Sequence, residues 1–286
     1  MLIEKFIKKV FVSFYKDENY KFLCEIKKQN KTIKEIKKEF ENKNELINEI
    51  NEIKEDYTQI FISTIITSIN QGIIPSCNKH EYKKREIDIE NIKIVCIKNK
   101  YSFYVALYEL LAIQKEYPFD IDFIYSIFAP IDNFAKKRDN YFYVLILKER
   151  IAIVGYKNEI PIFADIIEFE NNETTEDEED LLEDIDLDIE EISEDIEEEA
   201  EIIDTQKDDL KFTSIENEII KSLKNSIKEY YENYTNDFLE KIIFLDTISI
   251  GNNLKKLTED ELLLESEIID FDLLKEINLL SERENV

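Results

Sequence analysis

The sequence predicts an α/β protein built as two lobes, and three observations lead to that prediction. Between Tyr141 and Phe169, three short apolar runs are separated by polar turns, which is the pattern of an antiparallel three-stranded meander. The first forty residues contain a second set of strand-like runs. Each set is followed by alternating helical and strand-like segments. The runs after Tyr141 are too continuous for a half-exposed sheet, so we expect helices packed over it.

The first half of the chain predicts the following elements in order. Strands are expected at 10–15, 20–26 and 32–40, then a helix at 44–57 and a strand at 58–67. Residues 70–91 are polar and irregular, and a strand is expected at 92–97. This half is completed by a helix at 101–117, a strand at 121–128 and a linker at 130–140. Pro118 ends the helix.

The second half repeats this order after its own meander, whose turns lie at Lys148–Arg150 and Lys157–Glu159. Thr213 and Glu216 have capping-box spacing, which predicts a helix from there to about Tyr234. The elements expected after this helix are a strand at 241–245, a turn at 251–253, a helix through 262, a brief strand at 268–269 and a helix at 271–280. We therefore predict a first lobe at 1–130, a second lobe at 131–169 and 205–286, and an acidic insertion at 170–204.

Charge is concentrated in one segment. The chain of 286 residues has a net charge of −28, and the stretch from Glu168 to Asp204 holds 21 acidic residues and no basic one. The rest of the chain therefore carries only −7. This balance argues against nucleic acid as a partner, because its binding requires lysines and arginines that neutralise phosphates. It favours a basic protein surface as the partner of the acidic segment.

The acidic segment also has an apolar stripe at helical spacing with an 11-residue period. We predict that the large apolar residues of this stripe bind a partner: Leu181, Ile185, Ile189, Ile192, Ile196 and Ile203. Two interpretations stay open. Like charges at i,i+4 oppose an isolated helix, which favours a disordered, solvated insertion. Alternatively, a helix forms when a basic, grooved partner covers the stripe.

Cysteine and histidine usage predicts neither a metal site nor a catalytic centre. The three cysteines have no paired spacing, and Cys24 and Cys96 lie in strand-like runs as small buried hydrophobes, which suits a reducing compartment. Cys77 and His80 have C-x-x-H spacing, but there is no second pair to complete a zinc site. The segment beginning Asp184-Ile185-Asp186 starts like a calcium loop but lacks its glycine and terminal glutamate.

We also expect the protein to be cytoplasmic. The N-terminus lacks the uninterrupted apolar core of a signal peptide. The longest apolar run, from Tyr141 to Leu147, is much shorter than the ~18 residues of a membrane-spanning helix.

The repeated order of meander, helix, strand, helix and strand resembles the two-lobed actin-like (ribonuclease H-like) fold. The second half is more specifically similar to the PilM and GspL cytoplasmic proteins. The resemblance rests on "YKNEIPIFADI" around Pro161–Phe163, on the helix "NEIIKSLKNSIKEYY" around Glu218–Tyr231, and on "KIIFLDTISIGNNLKKLTEDEL" around Ile242–Leu254. It implies two lobes that face each other across a cleft.

The resemblance also shows what this chain lacks. Actin-like ATPases hold their nucleotide with two hairpins that each need an acidic residue and a glycine at the turn. The hairpins here turn at Lys16–Asn19 and at Lys148–Arg150 without glycine, and Gly251 stands alone where the adenosine loop would lie. We therefore expect a degenerate member without catalytic residues, nucleotide, metal or other cofactor.

The resemblance implies a non-enzymatic cytoplasmic scaffold of a type II secretion, type IV pilus or DNA-uptake (competence) machine. Its partners would be the assembly motor ATPase and inner-membrane assembly proteins, so that it reaches the membrane only through them. A homodimer is left open. Two alternatives remain: an active actin-like ATPase, and an acidic adaptor that binds a basic protein.

Overall fold

The computed structural model describes residues 8–29, 31–85, 87–169 and 196–285, with side chains from residue 215 onward in the last range. Its strands are β1 Lys9–Lys16, β2 Tyr20–Lys28, β3 Lys31–Phe40, β4 Ile60–Ile66, β5 Gln71–Ile74, β6 Ile92–Ile97, β7 Tyr101–Ala106, β8 Phe123–Ser126, β9 Tyr141–Ile146, β10 Arg150–Lys157, β11 Ile160–Glu168, β12 Lys241–Asp246 and β13 Glu265–Asp270. Its α-helices are α1 Lys43–Asp56, α2 Lys79–Lys84, α3 Leu107–Glu116, α4 Phe128–Phe134, α5 Ile196–Asn233, α6 Asn253–Leu262 and α7 Leu273–Glu284.

Two five-stranded sheets with the same strand order form the two lobes. The first runs β3-β2-β1-β4-β8 and the second β11-β10-β9-β12-β13. In each, the meander pairs antiparallel and the later strands add in parallel next to the first strand of the meander. Tight turns set the register of the meanders. Asn158 and Glu159 both have positive φ, 51° and 64°, as a two-residue hairpin turn requires.

Helices cover both faces of the sheets, because the central strands are apolar on both sides. The helix α1 packs on the outer face of the first sheet, and α5 and α6 pack on the outer face of the second. The two inner faces share one core with α4 and α7. Although α7 follows the second sheet in the chain, it packs on β1, β2 and β4, and Ser13 Oγ donates to the carbonyl oxygen of Leu274 at 2.9 Å.

A buried polar cluster joins the lobes through Asp132 of α4. One carboxylate oxygen accepts a hydrogen bond from the Tyr101 hydroxyl at 2.7 Å, and the other accepts from the Tyr156 hydroxyl at 3.0 Å. Arg138 forms an ion pair with the same carboxylate at 3.2 Å. Tyr101 belongs to the small sheet β5-β7-β6 and Tyr156 to the second large sheet. The Asp132 carboxylate therefore connects α4, β7 and β10, which are far apart in sequence.

The structure corrects four predicted elements. Residues 70–91 contain β5 and α2, and α4 covers the first five residues of the predicted linker at 130–140. Residues 101–106 form β7 rather than the start of a helix, since Tyr101, Phe103 and Val105 alternate inward and have high β propensity. The helix predicted from Thr213 begins at Ile196, inside the predicted insertion. The spacing of apolar residues within a segment could not predict β5 and β7, because each is a strand through its pairing with the other, about 30 residues away in the chain.

None of the described helices is both long and apolar enough to cross a bilayer.

Candidate functional site

The tips of the two predicted hairpins touch each other across the cleft. The β1–β2 hairpin turns at Asp17–Asn19 and the β9–β10 hairpin at Leu147–Glu149, as predicted. The backbone amide of Lys148 donates a hydrogen bond to Asp17 Oδ2 at 2.9 Å, and the Lys148 ammonium pairs with Glu18. An amide at the tip of the second hairpin is thus already bound to a carboxylate of the first.

Asp17 is a buried carboxylate, with only 7% of its surface exposed. Burial raises its pKa above the ordinary value of 3.8, and the Lys148 amide opposes this by stabilising the charged form. The carboxylate lies between the two hairpins and joins their tips through the Lys148 amide.

The pKa shift of Asp17 predicts a specific pH dependence. The folded state holds a proton on Asp17 more tightly than the unfolded state does, so the stability that Asp17 contributes falls as pH rises from about 3.8 through its native pKa. Asp17→Asn is neutral at every pH and removes this loss. The unfolding free energy of the variant minus that of the wild type should therefore rise across this window and then stay level.

Urea unfolding of both proteins at a series of pH values measures this difference. Asparagine offers one acceptor oxygen in place of a carboxylate, so a constant loss of about 1 kcal/mol is superimposed on the curve. Asp120→Asn makes the same substitution at an exposed position away from the hairpin tips and is the matched control. A difference that is flat across the window, or that falls, would contradict the buried, ionised carboxylate.

The loop after β12 is filled by side chains instead of being open. Asp246 accepts a hydrogen bond from the Ile248 amide at 2.9 Å, and Ile250 is buried in the core of the second lobe. Gly251 follows this loop but has no positive φ, so its backbone would accept other residues. The loop reaches the left-handed conformation at Ser249, whose φ is 61°, and not at Gly251, so the conformational freedom of glycine is not used here.

Glu216 closes the other side of this loop. It is 2% exposed and accepts hydrogen bonds from the Leu254 amide at 3.0 Å and from Asn253 Nδ2 at 2.7 Å, at the start of α6. A carboxylate from α5 therefore accepts from one of the backbone amides at the α6 N-terminus, that of Leu254, which is then not available to a ligand. Sequence spacing had assigned Glu216 to a capping box at the start of its own helix, and that assignment is wrong.

A cavity of about 360 Å³ remains beside the hairpin tips, between the lobes. Its first-lobe side carries Lys21, Lys37 and Lys38, and its second-lobe side carries Thr247 and Asp272. Lys21 pairs with Glu39 at 2.6 Å and Lys37 with Asp272 at 3.3 Å, so much of the positive charge is compensated. Lys38 pairs in turn with Glu49, so each lysine of the lining already has a carboxylate partner. The volume is within the range of small-molecule sites.

Residues 142–286, just over half of the chain, match the family model described as "Domain of unknown function (DUF8341)". The chain belongs to the DUF8341 family. Residues 6–132 match a second model, "Domain of unknown function (DUF8569)". The DUF8341 match contains the second sheet, except for its first residue Tyr141, together with α7. No curated protein matches the DUF8341 chain in sequence.

Solved structures show the fold of the DUF8341 chain. A Bacteroides thetaiotaomicron protein with an actin-like ATPase fold and unknown function is similar over 98% of this chain and 96% of its own, with 11% identity and a TM-score of 0.52. The PilM–PilN type IV pilus biogenesis complex contains a chain similar over 97% and 98%, with 13% identity and a TM-score of 0.56. The predicted two-lobed actin-like fold is confirmed.

The cytoplasmic domain of EpsL, an inner membrane component of the Vibrio cholerae type II secretion system, is similar over 98% of this chain and 96% of its own. The identity is 8% and the TM-score 0.46.

The predicted partner-binding stripe lies mostly outside the described residues of the DUF8341 chain. Leu181, Ile185, Ile189 and Ile192 belong to residues that the structure does not describe. Ile196 and Ile203 lie on the backbone of α5, but their side chains are not described. The role of the stripe, like the limits of the insertion and of the lobes, stays a prediction.

The cysteines of the DUF8341 chain differ from the prediction in one respect. Cys24 is buried, as expected, and burial raises the pKa of its thiol to about 12. Cys96 is exposed and forms a disulfide with Cys77, across 19 residues of sequence. The interpretation of Cys96 as a buried hydrophobe was wrong, because β6 is an edge strand of the small sheet, where a side chain reaches the preceding loop. A disulfide is unusual in a reducing compartment.

His80 lies exposed on α2, and Cys77 is engaged in the disulfide. Among the described residues, no three histidine, cysteine or acidic side chains are grouped as metal ligands.

Proposed function

We propose that the chain is a non-enzymatic cytoplasmic scaffold of a type II secretion, type IV pilus or DNA-uptake machine. It would bind the motor ATPase and inner-membrane assembly proteins, and so reach the cytoplasmic face of the inner membrane through them. The observation that supports this proposal is the direct hydrogen bond between the Lys148 amide and Asp17, which joins the two hairpins between which, by the resemblance, a nucleotide phosphate would bind. We infer that a protein with actin-like lobes and joined hairpins functions by binding other proteins at its surface.

The similarity to the PilM chain supports the choice of machine, since PilM is found in a type IV pilus biogenesis complex with PilN. The similarity extends over nearly the whole length of both chains, so it supports a comparison of both lobes and not of one alone. At 13% identity the similarity concerns the fold, and the machine itself is our proposal.

Nucleotide titration tests the absence of enzymatic activity. Calorimetry with Mg²⁺ and ATP should give no binding at concentrations up to about 1 mM, which corresponds to a binding free energy weaker than about −4 kcal/mol. Phosphate release should equal that of buffer. Micromolar binding with turnover would overturn the scaffold proposal.

The cavity beside the tips favours a second candidate, an actin-like ATPase whose nucleotide lies there. Lys21→Ala separates the two candidates, because Lys21 lines the cavity and is partly exposed, so the fold does not depend on it. An ATPase would lose nucleotide binding and its cellular function together in this variant. A scaffold would retain secretion, piliation or DNA uptake, whereas deletion of the gene would abolish the affected process.

Co-purification tests the scaffold directly. The chain should form a complex with the cytoplasmic tail of an inner-membrane assembly protein from the same genome, and the complex should persist in Lys21→Ala and without nucleotide. A complex that forms only with Mg²⁺ and ATP would favour the second candidate.

A further inference from the structure

The two most exposed large apolar side chains among the described residues lie at the same end of the second sheet. Phe238 is 83% exposed and Leu263 is 85% exposed. Phe238 lies in the loop before β12 and Leu263 in the loop before β13. These strands are parallel neighbours, and Lys241 at the start of β12 pairs with Glu265 at the start of β13 at 3.1 Å. The two loops are therefore adjacent at the surface.

The core of the second lobe does not account for either side chain. Phe238 lies edge-on to the ring of Tyr231 with centroids 6.5 Å apart, whereas its neighbour Leu239 fills the core. Leu263 follows α6 with a φ of 55°, a left-handed conformation in which glycine is the usual residue. Departures from local preference are expected where a residue serves function instead of the fold. Exposed apolar surface of this kind marks interaction sites.

The helices α5 and α6 bring their C-terminal ends to these loops. Glu216 of α5 accepts from the amide of Leu254, near the start of α6. Lys224, two turns further along α5, pairs at 2.6 Å with Glu261, near the end of α6. The two helices therefore run side by side in the same direction. Neither has a basic residue in its last turn, where a cation would offset the negative end of the helix dipole.

The surroundings of the two exposed side chains are acidic. Residues 229–240 contain four acidic side chains and no basic one, and residues 257–267 contain five and none. Lys241 neutralises part of this charge, since it pairs with two of these carboxylates. Glu240 and Asp260 are exposed and form no ion pair with a described residue. A cation that approached this surface would find free carboxylates and the negative ends of two helices.

This charge selects one kind of partner. A second copy carries the same surface and a net charge of −28, and the stretch from Glu168 to Asp204 of the same chain holds no basic residue, so both are repelled. Nucleic acid and anionic lipid are repelled for the same reason. A basic protein segment is attracted, and apolar side chains within it would remove Phe238 and Leu263 from water.

We propose that Phe238 and Leu263, with the carboxylates around them, bind a basic segment of another protein whose apolar side chains cover these two residues. The surface lies at the opposite end of the second sheet from the hairpin tips, because β12 runs parallel to β9 and the tips follow the end of β9. The proposal therefore goes beyond the scaffold function and depends neither on the hairpins nor on the absence of nucleotide.

Fluorescence anisotropy of a synthetic probe tests the apolar contact. The probe is a labelled peptide in which adjacent leucines are flanked by lysines, and the full chain is titrated into it. Phe238→Ala with Leu263→Ala should weaken binding about tenfold or more, because apolar contact is lost at unchanged charge. Ile69→Ala with Tyr108→Ala truncates two other exposed apolar residues and should leave binding unchanged.

A charge reversal tests the electrostatic part. Glu240→Lys with Asp260→Lys should also weaken binding about tenfold or more, because attraction becomes repulsion at the contact. Glu52→Lys with Glu55→Lys makes the same change of net charge at exposed positions of α1 and should weaken binding much less. Circular dichroism establishes that each variant is folded.

Photo-crosslinking from the leucines of the bound probe locates the contact. Crosslinks should fall in residues 235–240 and 261–267. A probe that does not bind, crosslinks confined to residues 170–204, or equal weakening by the two alanine pairs or by the two lysine pairs would each overturn the proposal. Such a result would leave the scaffold function standing, since nucleotide titration and co-purification test that function separately.

Discussion

Asp132→Ala should lower the free energy of unfolding by about 3–5 kcal/mol, the largest loss we expect from a single polar residue. The substitution leaves the mostly buried Arg138 guanidinium without its carboxylate and two buried tyrosine hydroxyls without their acceptor. Each unpaired buried group costs its full desolvation penalty. Urea denaturation followed by circular dichroism measures the loss.

Two smaller changes separate the parts of this cluster. Tyr156→Phe removes one hydroxyl that donates to Asp132 and should cost about 1 kcal/mol. Asp132→Asn keeps the shape but loses the charge that faces Arg138, so its cost should lie between those of the other two variants. If Asp132→Ala cost no more than Tyr156→Phe, the cluster would not hold the lobes together.

Phe142→Ala should cost about 3–5 kcal/mol through the cavity it leaves in the second lobe. Phe142 is fully buried, stacks on Phe163 with ring centroids 5.5 Å apart, and meets the ring of Tyr230 edge-on at 4.9 Å. No smaller side chain can fill the space between these two rings. Phe238→Ala is the matched control, since that ring is 83% exposed and should cost less than about 0.5 kcal/mol.

Gly155 makes the Phe142 prediction sharper. A Cβ atom at Gly155 would lie 2.7 Å from the Phe142 ring, so Gly155→Ala should cost about 1–3 kcal/mol in the wild type. In the Phe142→Ala background the ring is absent and the added methyl should cost less, with only the contact to Phe163 Cβ at 3.1 Å remaining. A double-mutant cycle measures this coupling. Additive losses would contradict the packing of Phe142 against Gly155.

The two meanders were predictable because their signals are local. Apolar runs of six to nine residues, separated by turns such as Asp17–Asn19 and Lys157–Glu159, define strand, turn and register within about forty residues. The helices α1, α6 and α7 were likewise predicted from apolar residues at helical spacing. Repetition of the same order in both halves then indicated two similar lobes.

The candidate site was only partly predictable. The sequence indicated that both hairpin tips lack glycine, but the hydrogen bond from Lys148 to Asp17 joins residues 131 positions apart. Glu216 was assigned to its own helix, although its partners begin α6. Asp132 received no role at all, because one aspartate in a predicted linker has no periodicity that marks it as buried.

The sequence by itself determined the two sheets, their order and the absence of the glycines that bring backbone close to phosphate. Those properties follow from hydrophobic period and turn chemistry, which act between residues that are near in the chain. Only the tertiary structure decided that the hairpin tips contact each other and that Asp132 joins three elements. These contacts depend on how whole lobes pack, and packing brings together groups whose separation in sequence carries no signal of their distance in space.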